Sequence, residues 1–409
     1  MASLSASASS WRTPVIIITF GCIAALLTFG ARSSLGFFQT PLISTQGWGR
    51  DTFAFALALQ NLLWGLGQPF MGAVADRFGT FRVLSIGAIL YASGLALMAY
   101  SSSPLMLDLS AGVLIGFGLS GCSFNIVLAA FGKLLPAERR SMAFGIGTAA
   151  GSFGQFLFAP LSVGLIGQAG WQETLVIFAL LMLFVIPLST AIATRPVARS
   201  AEAAAPTQSV RAALIEAFGH RSYVLLVIGF FTCGFQLAFT TVHLPAYLGD
   251  IGLESWVGGW TIALIGAFNI AGSLSAGYLG NRMPKRWILA IIYLSRSIVT
   301  TAFLLLPASP ASAMVFGALS GLLWLSTIPP TSSLIALMFG TRYMAMLYGF
   351  AFFSHQVGSF IGVWLGGVVF VQTGSYELVW WLSVALGLAS AVINLPIIEK
   401  PVQRAAVAA

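Results

Sequence analysis

The stretch Gly72-Ala-Val-Ala-Asp76-Arg77-Phe-Gly79-Thr-Phe-Arg82 returns 205 residues later as Gly277-Tyr-Leu-Gly-Asn281-Arg282-Met-Pro-Lys285-Arg286. Gly72, Asp76 and Arg77 align on Gly277, Asn281 and Arg282 at that one offset, close to half of the 409-residue chain. Each copy is a short basic loop between two apolar runs. Self-similarity at such a period points to two related halves.

A helix that crosses a bilayer needs about 20 mostly apolar residues. Working outward from the first loop, six such runs are found at 13–40, 52–75, 83–100, 105–131, 142–167 and 172–194. Six more follow at 223–248, 256–280, 287–306, 310–338, 346–371 and 376–397. One long polar stretch, Arg195 to Ser222, separates the two sets, and within it Ser209–Phe218 suits a short surface helix. The reading is an all-α membrane protein of twelve transmembrane helices in two six-helix halves. The N-terminal half spans 1–194, a cytoplasmic linker 195–222 and the C-terminal half 223–409.

Composition agrees. The chain is 58% hydrophobic and 7% charged, whereas soluble domains carry about 25% charged residues. The polar segment Met1 to Ser10 leads into an apolar run too long for a signal-peptide core, so that run is read as the first span. The net charge of +8 marks topology rather than nucleic acid. With the N-terminus inside, sixteen of the nineteen Lys and Arg fall in cytoplasmic segments, as the positive-inside rule requires. Only Arg50 lies in an outer loop, and Arg32 and Arg296 lie within spans. Both termini are therefore expected in the cytoplasm, with the chain in the inner (plasma) membrane. Cys22, Cys122 and Cys233 sit in apolar runs without metal spacing, so no metal site is expected. No nucleophile–His pair and no phosphate-cradling loop is found, so neither an enzyme nor an ATP-driven pump is expected, and no cofactor.

The loop Gly72 to Arg82 resembles the G-x-x-x-D-R-x-G-x-R pattern of the major facilitator superfamily, found there between helices 2 and 3. Two further stretches resemble its monocarboxylate transporter and oxalate/formate antiporter branch. The first is Gly30-Ala-Arg32-Ser-Ser-Leu-Gly-Phe-Phe38 with Gly47-Trp48-Gly-Arg50. The second is Phe131-Gly-Lys133-Leu-Leu-Pro-Ala-Glu-Arg139-Arg140 with Gly145, Gly147, Gly151 and Gly154 after it. The resemblance implies a transporter whose helices 1, 4, 7 and 10 line a central cavity. It puts Arg32 where monocarboxylate carriers have a Lys, and His355 where the oxalate antiporter has one. Both branches have an Arg in helix 8, where this chain has Ser273. It also makes Gly72, Asp76, Arg77, Gly79, Arg82, Gly277, Asn281 and Arg282 a conformational latch. In that latch Gly72 would let span 2 approach span 11, and Asp76 would bond backbone N–H groups and arginines.

Ionisable groups deep in a span are costly and therefore functional candidates. Arg32 is read as a fixed charge that holds an anionic solute, against the alternative of an arginine capping carbonyls. His355 can bind solute or carry a proton, or it is a neutral histidine bonded to a carbonyl. Asp108, a turn into span 4, is the nearest carboxylate. A coupled proton would ride on His355, on Asp108 or on the solute. Arg296 and His243 are read as structural. Asn125, Gln236, Trp324, Ser326 and Thr327 are cavity candidates, Pro329-Pro330 breaks span 10, and Gln60, Asn61 and Gln68 form a stripe suited to packing between the halves.

The expected function is a secondary active transporter working by alternating access, for a small organic anion such as a monocarboxylate. An efflux carrier for a drug-like or metalloid toxin is the second reading, and a non-transporting membrane sensor the third. The expected partners are the solute, the lipid bilayer and a proton, with the chain acting as a monomer.

Overall fold

The computed structural model describes residues 11–194, 209–340 and 343–402. They form twelve long helices and no strand. In the first half these are α1 (Pro14–Gln46), α2 (Arg50–Phe78), α3 (Thr80–Ala99), α4 (Pro104–Leu134), α5 (Ala137–Ala169) and α6 (Trp171–Ser189). In the second they are α7 (Arg221–Asp250), α8 (Ser255–Leu279), α9 (Lys285–Leu305), α10 (Pro310–Phe339), α11 (Met344–Thr373) and α12 (Glu377–Asn394). Eleven of them are long and apolar enough to cross a membrane. The twelfth, α2, is diluted by Gln60, Asn61 and Gln68, but its 29 residues give it ample length. A short helix, Val210–Gly219, precedes α7.

Local chemistry sets the helix ends. Thr13, Ser103 and Ser309 each accept a backbone N–H from the first turn, and each precedes a proline at the first helical position. Gly79 joins α2 to α3 at φ +89°, a left-handed conformation that favours glycine. A Cβ there would also lie 2.6 Å from Thr194 O. This accounts for the glycine in the first copy of the loop. At the equivalent place the second copy has Pro284 at φ −57° and turns differently.

Two hydrophobic clusters form, one almost entirely from α1–α6 and the other from α7–α12. The halves meet along α2 with α11 and α5 with α8. Gly65 abuts Gln356, Gly367 abuts Ala54 and Asp51, and Gly266 abuts Ser152 and Phe156. Gly72 was expected to mediate the approach of α2 to α11, but a Cβ there would meet nothing within 4 Å. The crossing is made two turns earlier on nearly the same face, at Gly65. Gly277 likewise stands in open space.

One end of the bundle is closed. Arg50 on α2 donates to both carboxylate oxygens of Asp250 on α7, at 2.5 and 2.6 Å, and to Tyr376 Oη at 3.0 Å. Gln39 Nε2 lies 3.5 Å from His243 Nδ1, and a Cβ on Gly36 would lie 2.5 Å from Thr241 O. Toward the opposite, basic end, the halves touch at Trp64–Phe352 and Ser152–Asn269. Beyond them Arg77, Arg82, Asn281 and Arg282 are exposed. Arg77 stacks on Phe78 and Arg282 on Tyr278. The side chain of Asp76 lies outside the described residues.

Candidate functional site: an under-bonded arginine between the halves

Arg32 sits in the last turn before α1 tightens into a 3-10 segment at Leu35–Phe38. Nη2 donates to Asn61 Oδ1 at 2.6 Å, and the guanidinium lies 5.0 Å from the ring centre of Trp64. Nε is buried without a hydrogen-bond partner. Among the described residues, only one of the three guanidinium nitrogens is therefore hydrogen-bonded. An arginine in a low-dielectric interior is stable only when paired or hydrogen-bonded, so Arg32 is left with capacity for an anion.

A chain of rings carries the site into the other half. Trp64 meets Phe352 edge-on at 5.6 Å, and Phe352 stacks on His355 at 5.9 Å with the planes 9° apart. Phe230 also meets His355, with the ring centres 5.1 Å apart and the planes tilted by 48°. His355 Nδ1 is 3.2 Å from Gln356 Oε1. Gln356 is fully buried, and its Nε2 has no hydrogen-bond partner. Sequence reasoning passed over Gln356 because it reads as a neighbour of His355. Its signal is the glycine facing it: at Gly65 a Cβ would come 2.6 Å from Gln356 Cβ.

Gln236, Trp324 and Thr327, expected at the cavity, are buried inside the second half, where the Gln236 amide, the Thr327 hydroxyl and the Trp324 carbonyl are engaged. Gln236 Nε2 donates to Ser383 O at 2.9 Å and its Oε1 faces Arg296 Nη1 at 3.4 Å. Thr327 Oγ1 lies 3.3 Å from Cys233 Sγ. The Trp324 carbonyl accepts from Arg296 Nη2. The cause is the break in α10, which ends one segment at Leu323 and resumes at Ile328. The freed carbonyls need donors. Arg296 supplies them, donating to Leu323 O at 3.1 Å from Nε and 2.6 Å from Nη2. Asn269 completes the cap by accepting from Leu325 N at 2.9 Å. Ser273, which stands where the resemblance has an arginine, donates to Asn269 Oδ1.

The break in α4 falls at Ser123, at the matching place in the first half. Ser123 and Trp64 both donate to Gln68 Oε1 at 3.0 Å. Gln60 donates to Ala111 O of α4. The stripe Gln60, Asn61 and Gln68, expected to pack between the halves, thus bonds within the first half, because α2 turns that face toward α1 and α4. Asn125 is half-buried after the break. Asp108 opens a widened, π-helical turn, Asp108–Leu114, and its buried Oδ1 has no partner. It lies toward the closed end and does not join the Arg32–His355 group. His243 bridges helices at that end, with Nε2 2.8 Å from Val363 O and Nδ1 3.2 Å from Tyr376 Oη.

The model of the Major Facilitator Superfamily matches residues 21–363. The chain belongs to this superfamily. It is 28% identical to an uncharacterized MFS-type transporter, YcxA, of Bacillus subtilis (strain 168), over 94% of this chain and 95% of that protein. It is 24% identical to monocarboxylate transporter 13 of Rattus norvegicus, over 94% and 89%. Among solved structures it is similar to a bacterial homologue of the human lysosomal transporter Spinster in an inward-facing, occupied conformation. There the TM-score is 0.76 at 15% identity, covering 94% of this chain and 97% of that one. A D-xylose–proton symporter gives a TM-score of 0.74 at 14% identity, covering 95% and 99%. Superfamily membership makes the chain a multi-pass membrane transporter of a small solute.

Proposed function

We propose that the chain is a secondary carrier for a small organic monocarboxylate, working by alternating access in the inner membrane. The observation that carries this is the partly buried Arg32, with one of its three nitrogens bonded. A carboxylate accepts two parallel N–H bonds from an arginine, and Arg32 has the donors to give. The similarity to monocarboxylate transporters supports the same class. The ring chain Trp64–Phe352–His355 suits a solute with an apolar portion, and the partly buried His355 is the candidate to carry a coupled proton.

The basic end is the cytoplasmic one on this reading, so both termini are inside and the form described above is open inward. The halves 1–194 and 223–409 rock as units about the linker 195–222. Arg77, Arg82, Asn281 and Arg282 engage when that end closes, and Arg50–Asp250 separates when the other opens. Counterflow in proteoliposomes is the test. Wild-type protein is expected to exchange labelled monocarboxylates, and Arg32→Ala to abolish exchange while remaining folded. Unchanged exchange by Arg32→Ala would remove the site assignment, and absence of exchange by the wild type would remove the substrate class.

A further inference from the structure

The two copies of the repeated loop close in different ways. In the first, Thr80 Oγ1 donates to Ile192 O at 2.6 Å, and Thr80 N donates to Thr194 Oγ1 at 3.1 Å. These small neutral side chains fill the corner between the loop and the end of α6. In the second copy the 205-residue offset puts Ile397 at the place of Ile192 and Glu399 at that of Thr194. There Arg286 Nη1 donates to Ile397 O at 3.3 Å, and Arg286 N donates to Glu399 Oε1 at 2.8 Å. The corner is not filled. It is a cavity of about 520 Å³ lined by Arg282, Lys285, Arg286, Lys400 and Glu399, together with the neighbouring uncharged residues at 280, 281, 283, 284 and 398.

Four cations and one carboxylate share this cavity, and the carboxylate is already occupied capping the first turn of α9. Arg286 Nε is buried and has no hydrogen-bond partner. Neither Lys285 nor Lys400 pairs with a carboxylate among the described residues. Beside the cavity, α9 exposes Trp287, Ile291, Leu294 and Ile298. Their spacing of four, three and four residues sets them on one face of the helix. A strongly basic cavity thus adjoins a continuous apolar track at the level where tryptophan anchors a span.

We propose that this cavity binds the phosphate of an anionic phospholipid, whose acyl chains lie along Trp287, Ile291, Leu294 and Ile298. The cations pair with the phosphate, and Arg286 Nε gains the acceptor it lacks. The bound lipid ties the loop before α9 to the segment after α12, so it braces the second half at the corner that the first half closes with threonines.

The full chain, delipidated in detergent, is titrated with phosphatidylglycerol, phosphatidylcholine or inorganic phosphate and followed by native mass spectrometry. One phosphatidylglycerol is expected to be retained in preference to phosphatidylcholine. The exposed charges Arg282 and Lys400 and the half-buried Lys285 are then neutralised by Arg282→Gln, Lys400→Gln and Lys285→Gln. Affinity is expected to fall about fivefold for each charge removed. Equal retention of phosphatidylcholine, or a triple variant that binds as the wild type does, overturns the proposal. Displacement by inorganic phosphate at equal concentration also overturns the lipid reading, because the site then takes a soluble phosphate. An independent readout uses brominated phosphatidylglycerol. Quenching must weaken in Trp287→Phe relative to wild type, and an identical quench in both places the acyl chains elsewhere.

Discussion

Each half of the bundle holds one arginine within a span, Arg296 buried and Arg32 half-buried, and the two are used in opposite ways. Arg296 has all three nitrogens bonded, to Leu323 O, Trp324 O and Gln236 Oε1. Arg32 has one, on Asn61. The 205-residue offset relates their surroundings. It carries Arg32 to Leu237, beside Gln236, and carries Arg296 back to Tyr91, whose hydroxyl donates to Thr28 O. The first half thus has an arginine on α1 facing a tyrosine on α3. The second has a glutamine on α7 facing an arginine on α9. Moving the cation from the first helix of the half to the third turns it from a group with unmet donors into a cap for a broken helix. Burial alone does not make a charge functional. The state of its donors does.

The largest effect expected is on stability, from Arg296. Arg296→Met leaves the carbonyls of Leu323 and Trp324 and Gln236 Oε1 unmet, at roughly 3–5 kcal/mol in sum. The thermal midpoint in detergent should fall steeply, or the protein should fail to purify as a single species. If Arg296→Met is as stable as wild type, the capping role is gone and the contrast collapses. Arg32→Met tests the other side. It removes a cation with unmet donors, so stability should hold or rise, as is common when a functional charge is deleted. Monocarboxylate exchange should drop by roughly 2–3 kcal/mol, about 30- to 150-fold. A clear loss of stability in Arg32→Met would make both arginines structural.

A third arginine sharpens the comparison. Arg50 is bonded, but across the halves, to Asp250 and Tyr376, and it stacks on Phe370 at 3.8 Å. Its side chain and that of Asp250 are 13% and 34% exposed, so the pair is worth only about 1 kcal/mol. Asp250→Asn should therefore shift the balance between closed and open forms by about fivefold rather than unfold the protein. Spin labels at Ser44 and Ile251 would read the distance between the halves at that end. An unchanged distance distribution would mean that the pair does not hold the end closed.

The sequence carried the fold because lipid makes its demands on long segments. Twelve apolar runs, the basic loops and the repeat at Gly72 and Gly277 are all visible without coordinates. Arg32 was visible too, since any cation in a span stands out. Gln236, Trp324 and Thr327 sit near a real break in α10, and no pattern in the chain says which donor will cap that break. It is Arg296, distant in sequence and read only as structural. Gly72 misled for a related reason: a glycine signals that close approach is possible, not where a partner helix lies. Gln356 was missed because an unmet donor is a property of three helices at once.

Gln356 gives the most discriminating effect. It lies on α11 against Gly65 of α2, at the crossing of the halves, with Oε1 near His355 Nδ1 and Ser359 Oγ and with Nε2 unbonded. If that N–H finds the carboxylate held by Arg32 once the halves rock together, it joins solute to the second half. Gln356→Leu then keeps the shape, loses the donor, and relieves an unmet buried group, so stability should hold. Exchange should weaken by about 1–1.5 kcal/mol, near tenfold, through the half-saturation concentration. Gln356→Glu keeps the shape and reverses the charge character, and it should repel the anion and cost more than Gln356→Leu. Equal activity of all three forms would confine solute recognition to the first half. The comparison would then stand between a binding half and a bracing half, with no donor shared between them.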